Sequence, residues 1–345
     1  MEMFEKTGVL LVNVGTPDAP ETKAVRRYLK EFLSDPRVID IPAVIRYLLL
    51  RCIILPFRSP KSAHAYKSIW LPEKGSPLLM HSKQLATAVS KILGERYLVE
   101  VSMRYQKPSL NEAIAKLNAA GVSRIIVFPL FPQYSSAATG TVFEKISTII
   151  NKLWNIPQLI YIPPFYHDPL FIESYTQVAQ KFLTSYAADF VLFSYHGLPE
   201  RHVKKSDLSQ GKHCLQKENC CDKIEKENQF CYRAQCFATT RLLAKNLKLS
   251  PEKYATSFQS RLGRDPWIKP YTDILLPELA NKGYKKIAVL CPAFVADCLE
   301  TLEEIQMRAK EQWLELGGED LKLIPSLNAE PQWAQSVAAM IKKYD

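Results

Sequence analysis

One histidine and three carboxylic acids are the residues of this chain best placed to do chemistry. His196 ends a predicted strand within Ser194-Tyr195-His196-Gly197-Leu198-Pro199. An imidazole at a strand end can act as a base or bind a metal near neutral pH. Asp297, Glu300 and Glu304 follow each other at spacings of three and four residues, which would place them on one helical face. Carboxylates stacked in this way repel each other unless a cation or a shared proton relieves the repulsion. The set therefore predicts a site that handles protons and a metal ion.

Each of these residues also has a plainer interpretation. A single histidine is more often structural than catalytic. The spacing Asp297-x-x-Glu300 is acceptable for a capping box at the start of a helix, with Glu304 simply in solvent. The position of His196 at a strand end, with an acidic track beside it, favours the chemical interpretation.

Five of the eight cysteines fall in one short stretch of the chain. They are Cys214, Cys220, Cys221, Cys231 and Cys236. In a reducing compartment such a density favours ligation of a metal or cluster over disulfides. Four thiolates would satisfy a 2Fe-2S centre or a zinc ion and leave one cysteine spare. The surrounding lysines and glutamates indicate a surface insertion, at about residues 205–237, whose centre need not touch the chemistry.

A basic and apolar segment lies near the start of the chain. Between Pro42 and Pro72 there are five lysines and arginines and no acid, and Ala43–Leu55 is apolar apart from two arginines. This run is too short to span a bilayer. It is either a buried helix with ion-paired arginines or an exposed apolar lip, at about residues 42–66, that contacts a membrane or holds a flat apolar ligand. In the second case Arg58 and Lys61 would meet ligand carboxylates.

Composition limits the classes to which the protein can belong. With 345 residues, 47% hydrophobic and 23% charged, the chain is long enough for about two globular domains. Its net charge of +10 suits anionic partners, but no recognition motif supports nucleic-acid binding. The acidic N-terminus does not resemble a signal peptide, and prolines interrupt the longest uncharged stretch, Ile125–Phe143. We therefore expect a cytoplasmic protein.

Short β-branched runs alternate with helical patterns, which is typical of an α/β protein with parallel sheets. Strands are predicted at Val9–Val14, Leu98–Val101, Arg124–Phe128, Phe190–Ser194 and Lys286–Leu290. Helices are predicted at Thr22–Leu33, Ser82–Leu93, Leu110–Ala119, Phe143–Leu153, Cys298–Gly317 and Trp333–Tyr344. The small-residue loop that begins at Tyr134 could receive an anionic group ahead of a helix, or it is an ordinary connection.

A weak internal repeat divides the chain. The segment from Val9 to Pro17 resembles that from Val191 to Pro199, and each is followed further along by a strand that ends in proline. This repeat predicts two similar doubly wound halves, 1–180 and 181–345, with the last helix packed back on the first half. Ligands bind outside the carboxyl ends of strands in such sheets. We therefore expect His196, Gly15, Pro129 and Pro292 to face one cleft.

Six motifs occur in order along the chain. They are Leu11-Val12-Asn13-Val14-Gly15-Thr16-Pro17, Gly75-Ser76-Pro77-Leu78, Pro132-Gln133-Tyr134-Ser135, Ser194-Tyr195-His196-Gly197-Leu198-Pro199, Gln259-Ser260-Arg261 and Asp297-Cys298-Leu299-Glu300-Thr301-Leu302-Glu303-Glu304. Together they resemble the ferrochelatase family, whose members insert ferrous iron into a porphyrin to make heme. The resemblance covers almost the whole chain, and its His-Gly-Leu-Pro and Glu-Thr-Leu motifs are very specific.

The resemblance implies two Rossmann-like halves around a central porphyrin cleft. It implies insertion of Fe²⁺ into protoporphyrin IX with release of two protons, the terminal step of heme biosynthesis. His196 and Glu300 would face each other across the substrate iron, with Asp297 and Glu304 continuing the acidic track. His196 would accept pyrrole protons, or in the opposite assignment it would be the first metal ligand. On the porphyrin side the resemblance places Arg58, Tyr66, Ser76 and Tyr134.

The cysteines set this chain apart from some members of the family. Ser136 stands where some animal members place a cysteine ligand, and here the cysteines are internal. In this respect the chain is similar to a bacterial subclass in which an insertion in the second half binds a 2Fe-2S cluster. Cys214, Cys221, Cys231 and Cys236 are the favoured ligands, with Cys220 as the alternative. We expect the cluster to be structural.

Three other functions are compatible with these motifs. The substrate would be coproporphyrin in place of protoporphyrin, or the enzyme would be a related cobalt chelatase; a cobalt chelatase usually has a second histidine where this chain has Glu300. The third is a heme- or iron-responsive iron–sulfur protein that turns nothing over. The expected partners are protoporphyrin IX and ferrous iron, with peripheral contact to the inner membrane through the apolar lip and no nucleic acid.

Overall fold

The computed structural model describes residues 6–263 and 265–345, which form two compact units. The first unit contains the chain up to Phe131, Ser136–Pro163 and Asn328–Asp345, and the second contains Pro132–Ser135 and Pro164–Leu327. The sequence predicts a division near residue 180, whereas the observed division precedes the helix Pro169–Ser185. That helix belongs to the second unit because Tyr175 donates a hydrogen bond to the carbonyl of Phe294 (2.7 Å).

The first unit is built on four parallel strands in the order β2-β1-β3-β4. The strands are β1 (Thr7–Gly15), β2 (Tyr97–Tyr105), β3 (Arg124–Pro129) and β4 (Gln158–Tyr161). The helices are α1 (Thr22–Ser34), α2 (Ala43–Leu48), α3 (Leu55–Ile69), α4 (Pro77–Leu93), α5 (Leu110–Ala119) and α6 (Thr141–Ile150), with π-helical segments at Leu49–Ile54 and Ser136–Gly140.

The second unit repeats this plan with the strand order β6-β5-β7-β8, again all parallel. Its strands are β5 (Phe190–His196), β6 (Tyr254–Gln259), β7 (Lys286–Leu290) and β8 (Asp320–Leu323). Its helices are α7 (Pro169–Ser185), α8 (Glu200–Lys205), α9 (Tyr232–Asn246), α10 (Thr272–Asn281), α11 (Leu299–Thr301) and α12 (Lys310–Glu315), with a π-helical segment at Leu302–Ala309 and a 3₁₀ turn at Pro251–Lys253. The C-terminal helix α13 (Pro331–Lys342) belongs to the first unit.

The two sheets share one topology, so the predicted pair of similar doubly wound α/β halves is confirmed. The two segments of the internal repeat are β1 and β5, and each pairs with a strand on both sides. A central strand of a parallel sheet is covered on both faces, which explains its continuous apolar sequence. Leu10 and Val12 of β1 pack against Ile114 of α5, and Leu192 of β5 lies in a core with Trp313.

A glycine ends the first strand where the chain must pass close to its neighbour. Gly15 has a φ of 126°, and a Cβ there would lie 2.3 Å from the carbonyl oxygen of Tyr105. Only glycine accepts this conformation and this approach. The chain then turns so that Thr16 donates a hydrogen bond to the Oγ of Ser76 (2.8 Å), which brings two of the sequence motifs together.

The acidic track does not lie on one regular helix, and this prediction from the sequence is wrong. The helical stretch begins at Leu299, so Asp297 precedes it, and the stretch then widens into the π-helical segment Leu302–Ala309. A spacing of three residues indicates a shared helical face only if both residues are inside the helix. Here Cys298 is extended and occupies the N-cap position, which leaves Asp297 outside.

Candidate functional site

His196 is the last residue of β5, and its neighbours fix the orientation of its ring. The side chain is half-buried, and its Nδ1 lies 2.6 Å from the carbonyl oxygen of Gly197. Only a protonated Nδ1 can donate to that carbonyl, so the neutral ring carries its free lone pair on Nε2. The rings of Trp267 and Phe294 flank the imidazole, each with 6.4 Å between centroids. The result is an oriented base in an aromatic setting.

Gly197 is required beside this histidine for close packing. Its backbone N–H donates to the carbonyl of Gln259 (2.8 Å). A Cβ at Gly197 would come within 2.8 Å of that same oxygen and 3.0 Å of the Trp267 ring. The Gly that follows His196 in the motif is therefore explained by the approach of β6.

Gln259, at the end of β6, connects the histidine strand to the acidic segment. It is 5% exposed, and its Oε1 accepts a hydrogen bond from Ser194 (2.7 Å). Its Nε2 donates to the carbonyl of Glu300 (2.7 Å) and to a carboxylate oxygen of Glu304 (3.1 Å). In the sequence this glutamine stands out only as part of the Gln-Ser-Arg motif, and its place in the site was not predicted.

Ser260 also binds Glu304, and it is the second site residue that was not predicted from the sequence. Its hydroxyl donates to the same Glu304 oxygen that receives Gln259. Ser260 has a φ of 64°, so the chain turns sharply where β6 ends, and this turn directs the hydroxyl to the carboxylate. The signal for both residues in the sequence was the Gln-Ser-Arg motif.

Burial raises the pKa of Glu304, and the nearby charge of Glu300 raises it further. The hydrogen bond from Ser260 and the charges of His196 and Arg308 act in the opposite direction. Arg308 lies 3.5 Å from the carboxylate at a largely exposed position, so its effect is screened. Glu304 therefore keeps a proton at a pH where an ordinary carboxyl has lost it. A carboxyl of this kind, within electrostatic reach of a histidine, can receive and pass on protons.

Asp297 is buried and is used for internal hydrogen bonds. Its Oδ1 accepts from the hydroxyl of Thr301 (3.1 Å) and from the backbone N–H of Ser326 (3.2 Å). These bonds hold the start of α11 against the segment after β8. The structure therefore brings together His196, Glu300 and Glu304, and it gives Asp297 a bracing position.

Three of the four predicted porphyrin-side residues lie in the first unit. Arg58 is half-buried on α3, and Tyr66 is buried on the same helix against the ring of Tyr28 (6.3 Å, edge-on). Ser76 is 4% exposed and lines a cavity of about 470 Å³ together with Trp70. Tyr134 lies in the segment Pro132–Ser135 of the second unit.

The apolar lip is exposed, so the alternative of a buried helix is wrong. Six large apolar side chains are more than half exposed: Val44, Ile45, Tyr47, Leu48, Ile53 and Phe57. The two arginines within it bind locally, since Arg46 donates to the carbonyls of Ile39 and Ile41 and Arg51 donates to the hydroxyl of Tyr47. An exposed apolar patch of this kind indicates a binding surface. Among the described residues, no helix combines the length and apolar character needed to cross a bilayer.

All five clustered cysteines are buried, and four of them form a chain of sulfur contacts. Cys220 and Cys221 have their sulfurs 3.7 Å apart. The pKa of Cys221 is raised, mostly by a hydrogen bond with Cys231. The pKa of Cys231 is raised to about 12, mostly by a hydrogen bond with Cys214. Cys236 is fully buried on α9. The raised pKa values favour the protonated thiols of Cys221 and Cys231, which share hydrogen bonds.

The donor set fits an iron–sulfur centre in its chemistry. Several N–H groups point at the sulfurs: Arg233 donates to Cys221 (3.0 Å), Leu215 to Cys220 (3.4 Å) and Ala234 to Cys231 (3.5 Å). Such N–H···S bonds surround thiolate-bound clusters. Across residues 6–263 and 265–345, no group of three or more His, Cys, Asp or Glu side chains has the geometry of a metal site.

Comparison with known proteins identifies the family. The ferrochelatase family profile matches residues 6–344. The chain is 51% identical to the ferrochelatase of Coxiella burnetii over 338 residues, which cover 98% of this chain and 94% of the relative. It is 50% identical to the ferrochelatase of Legionella pneumophila over 340 residues, which cover 98% and 99%.

A solved structure shares the fold. The sirohydrochlorin chelatase SirB from Bacillus subtilis subspecies spizizenii, in complex with cobalt, aligns with a TM-score of 0.51 at 11% identity and covers 98% of this chain and 94% of that one. At this identity the likeness concerns the fold alone. The resemblance found in the sequence is confirmed by the matches to the family along the whole chain. The chain belongs to the ferrochelatase family, the metal-inserting enzymes to which its His-Gly-Leu-Pro and Glu-Thr-Leu motifs pointed.

Proposed function

We propose that the protein inserts Fe²⁺ into protoporphyrin IX, with release of two protons, as the terminal step of heme biosynthesis. The observation that carries this proposal is the arrangement of an oriented imidazole at the end of β5 and a carboxyl with a raised pKa, which Gln259 and Ser260 hold in place. Iron insertion requires two pyrrole nitrogens to lose their protons while the metal loses its water. This arrangement supplies groups for both.

His196 is the proposed first proton acceptor. Its Nδ1–H is engaged by Gly197, so Nε2 presents a lone pair to the substrate. The opposite assignment, in which Nε2 is the first ligand of the iron, uses the same lone pair. In both assignments the ring must keep this orientation, which the carbonyl of Gly197 enforces.

Glu304 is the proposed second proton carrier, and Glu300 the group that meets the iron. The charge of Glu300 raises the pKa of Glu304, so the ionised Glu304 takes up a proton more readily than an ordinary carboxylate does. A proton from the imidazole can therefore pass to Glu304, while Glu300 replaces water on the ferrous ion. Asp297 is assigned to bracing the start of α11, since its Oδ1 already accepts two hydrogen bonds.

The porphyrin-side residues are proposed to bind the edges of the macrocycle. Arg58 and the nearby Lys61 provide cationic groups for propionates, and Ser76 and Tyr134 provide hydroxyls. Tyr66 and the exposed apolar lip provide surface for a flat apolar ring. Binding the edges of the macrocycle is the means by which an enzyme can bend it and expose the pyrrole lone pairs.

The cysteine-rich segment (residues 205–237) is proposed to hold a 2Fe-2S cluster. The favoured ligands are Cys214, Cys221, Cys231 and Cys236, with Cys220 as the alternative, and the N–H···S donors support thiolates at these positions. When bound, such a cluster cross-links a polar stretch of chain that has little core of its own. The proposed role is therefore structural.

The apolar lip is proposed to dock peripherally on the cytoplasmic face of the inner membrane. Its exposed valine, isoleucines, leucine and aromatics would enter the interface, and the flanking cations would meet anionic headgroups. In this proposal the protein acts in the cytoplasm, at the surface of the inner membrane.

Anaerobic iron insertion tests the proposal. Ferrous iron is mixed with protoporphyrin, and the loss of porphyrin fluorescence is followed for the wild type, His196→Ala and His167→Ala. His167 is an exposed histidine of the same unit and serves as the control. We expect turnover that His196→Ala abolishes and His167→Ala retains.

The same assay separates the alternatives. Turnover of coproporphyrin but not protoporphyrin would identify the more carboxylated substrate, and insertion of cobalt in preference to iron would identify the related chelatase. Tight porphyrin binding with no turnover of any metal would favour a sensor. Full activity in His196→Ala would contradict both roles proposed for the histidine.

A further inference from the structure

Two residues next to clustered cysteines contact the porphyrin-side Tyr134. Phe230 directly precedes Cys231, and its ring meets the ring of Tyr134 edge-on with 5.5 Å between centroids. Gln235 directly precedes Cys236, and its Oε1 accepts the backbone N–H of Tyr134 at 2.6 Å. The cysteine-rich segment therefore holds this tyrosine at both its ring and its backbone.

The amide of Gln235 is itself held in one orientation. The side chain is 1% exposed, and its Nε2 donates to the carbonyl of Gln229 (2.7 Å). If the amide were flipped, an NH₂ group would face the Tyr134 N–H, and two carbonyl oxygens would face each other. The buried amide thus links the backbone of the cysteine-rich segment to the backbone of Tyr134, and both of its bonds are needed because a buried polar group without a partner is costly.

A second anchor of the same loop is independent of the cysteines. Gln133 is 2% exposed, and its Nε2 donates to the hydroxyl of Thr239 on α9 (3.1 Å). Thr239 is in turn bound to the carbonyls of Gln235 and Tyr166. Loss of the contacts from Gln235 and Phe230 would therefore release Tyr134 while Gln133 kept the loop attached.

The position of Phe230 depends on the order of the cysteine-rich segment. Between α8 and α9 the chain contains turns and bends but no helix or strand. Its order rests on the buried cysteines and on Asp207, which accepts the backbone N–H groups of His213 (3.0 Å) and Cys214 (2.8 Å). A disturbance at one of these cysteines can reach Phe230 because no regular element lies between them.

We infer that Gln235 and Phe230 position Tyr134 for the porphyrin, and that the cysteine-rich segment controls porphyrin affinity through these two residues. This inference rests on the proposed function, which puts Tyr134 on the porphyrin side. Gln235 and Phe230 are positioning residues, since their contacts are with Tyr134. Their effect should appear in porphyrin binding more than in the rate of insertion.

Hydrogen exchange at the amide of Tyr134 tests the positioning without any substrate. Gln235→Leu removes the acceptor, and the exchange rate should rise at least tenfold; Phe230→Leu should raise it less. Gln235→Glu keeps an oxygen for the Tyr134 N–H but loses the donor to the carbonyl of Gln229, so it should restore only part of the protection. Gln177→Leu, on the exposed face of α7, is the matched control and should leave the rate unchanged. Unchanged exchange in Gln235→Leu would overturn the inference.

Porphyrin titration tests the consequence. From quenching of protein fluorescence, Gln235→Leu should raise the dissociation constant of protoporphyrin about fivefold or more, and KM should rise with kcat nearly unchanged. Faster exchange at Tyr134 with an unchanged dissociation constant would overturn the link to the porphyrin. Absence of porphyrin binding in the wild type would overturn the proposed function itself, and the exchange result would still report the contact.

A cysteine far from Tyr134 in sequence tests the control by the segment. Cys214→Ser should speed exchange at the Tyr134 amide and weaken porphyrin binding in the same direction as Gln235→Leu. In the double variant the two effects should not add, because both release the same residue. Full additivity, or no effect of Cys214→Ser on the Tyr134 amide, would show that the cysteines do not act through this contact.

Discussion

Replacing Ser260 with alanine should move the pH dependence of iron insertion to higher pH. The hydroxyl of Ser260 donates to the carboxylate of Glu304, and this bond lowers a pKa that burial and the charge of Glu300 raise. Without the hydroxyl, the charged form of Glu304 loses one of its donors. A carboxyl that must accept a proton is then already protonated over a wider range of pH.

The size of the shift follows from what remains around Glu304. A hydrogen bond to a buried charged group contributes about 1.5–3 kcal/mol. The carboxylate keeps its bond from Gln259 (3.1 Å), and its side chain is 20% exposed, so the lower end applies. A loss of about 1.4 kcal/mol corresponds to roughly one pKa unit. The acid limb of kcat/KM should therefore move up by about one unit, with about a tenfold loss of rate on that limb and no loss on the plateau.

Folding stability provides an independent check with a defined sign. The pKa of Glu304 in the folded state lies above its ordinary value of 4.5, so the stability linked to this group is full below pH 4.5 and falls as the pH rises through the folded pKa. Ser260→Ala should therefore destabilise the protein more at pH 8 than at pH 4.5, by about 1.4 kcal/mol. Urea unfolding at both pH values measures the difference, with Ser185→Ala at the exposed end of α7 as the control. A folded variant with an unmoved acid limb would refute the reasoning.

Three further outcomes follow from the same contacts. Glu304→Gln removes a proton acceptor but keeps the size of the side chain, so kcat should fall at least about a hundredfold with the porphyrin KM little changed; the same fall in a variant that has lost its cooperative unfolding transition would point to misfolding instead. Val44→Ser and Phe57→Ser should each weaken binding to anionic vesicles, measured by co-sedimentation, roughly tenfold, because each removes about 1.5 kcal/mol of transfer free energy of an apolar side chain. Ile156→Ser, which is 62% exposed but lies outside the lip, should have no effect. Cys231→Ser should lose iron and sulfide on purification and melt several degrees lower, while Cys52→Ser should keep both; an unchanged melting temperature would argue against a structural cluster.

The four inner strands and the edge strand β2 could be predicted from the sequence, but the edge strands β4, β6 and β8 could not. β1, β3, β5 and β7 are continuous apolar runs, because parallel strands covered on both faces must be apolar throughout. β6 was not predicted because Thr256, Ser257 and Gln259 make its sequence polar. These side chains can be buried because they form hydrogen bonds with Thr240, Thr272 and Glu300, respectively. Hydrogen bonds between distant segments leave no periodic signal in a sequence.

The same reason explains which site residues were found. His196 stands at the end of an apolar run, where the fold class itself predicts a ligand site. Gln259 and Ser260 lie 45 and 44 residues from Glu304 in the chain. Nothing in the sequence around them indicates that they contact this carboxylate. The exposed lip was one of two alternatives, and only the structure could decide between them, because an apolar helix has the same sequence whether it is buried or exposed.

Asp297 can be tested with a pair of variants that separate charge from hydrogen bonding. The spacing Asp297-x-x-Glu300 placed it in the acidic track, whereas the structure uses its Oδ1 to accept from Thr301 and Ser326. Asp297→Asn keeps an Oδ1 acceptor and removes the charge, while Asp297→Ala removes both. If the residue braces α11, the asparagine variant should retain the rate of insertion. The alanine variant should lose about 1–3 kcal/mol of unfolding free energy, because the N–H of Ser326 loses this acceptor and the hydroxyl of Thr301 keeps only the carbonyl of Cys298. If the charge instead serves the iron, the asparagine variant should lose its rate while it stays folded, and the bracing assignment fails. The two variants therefore decide whether the acidic track begins at Asp297 or at Glu300.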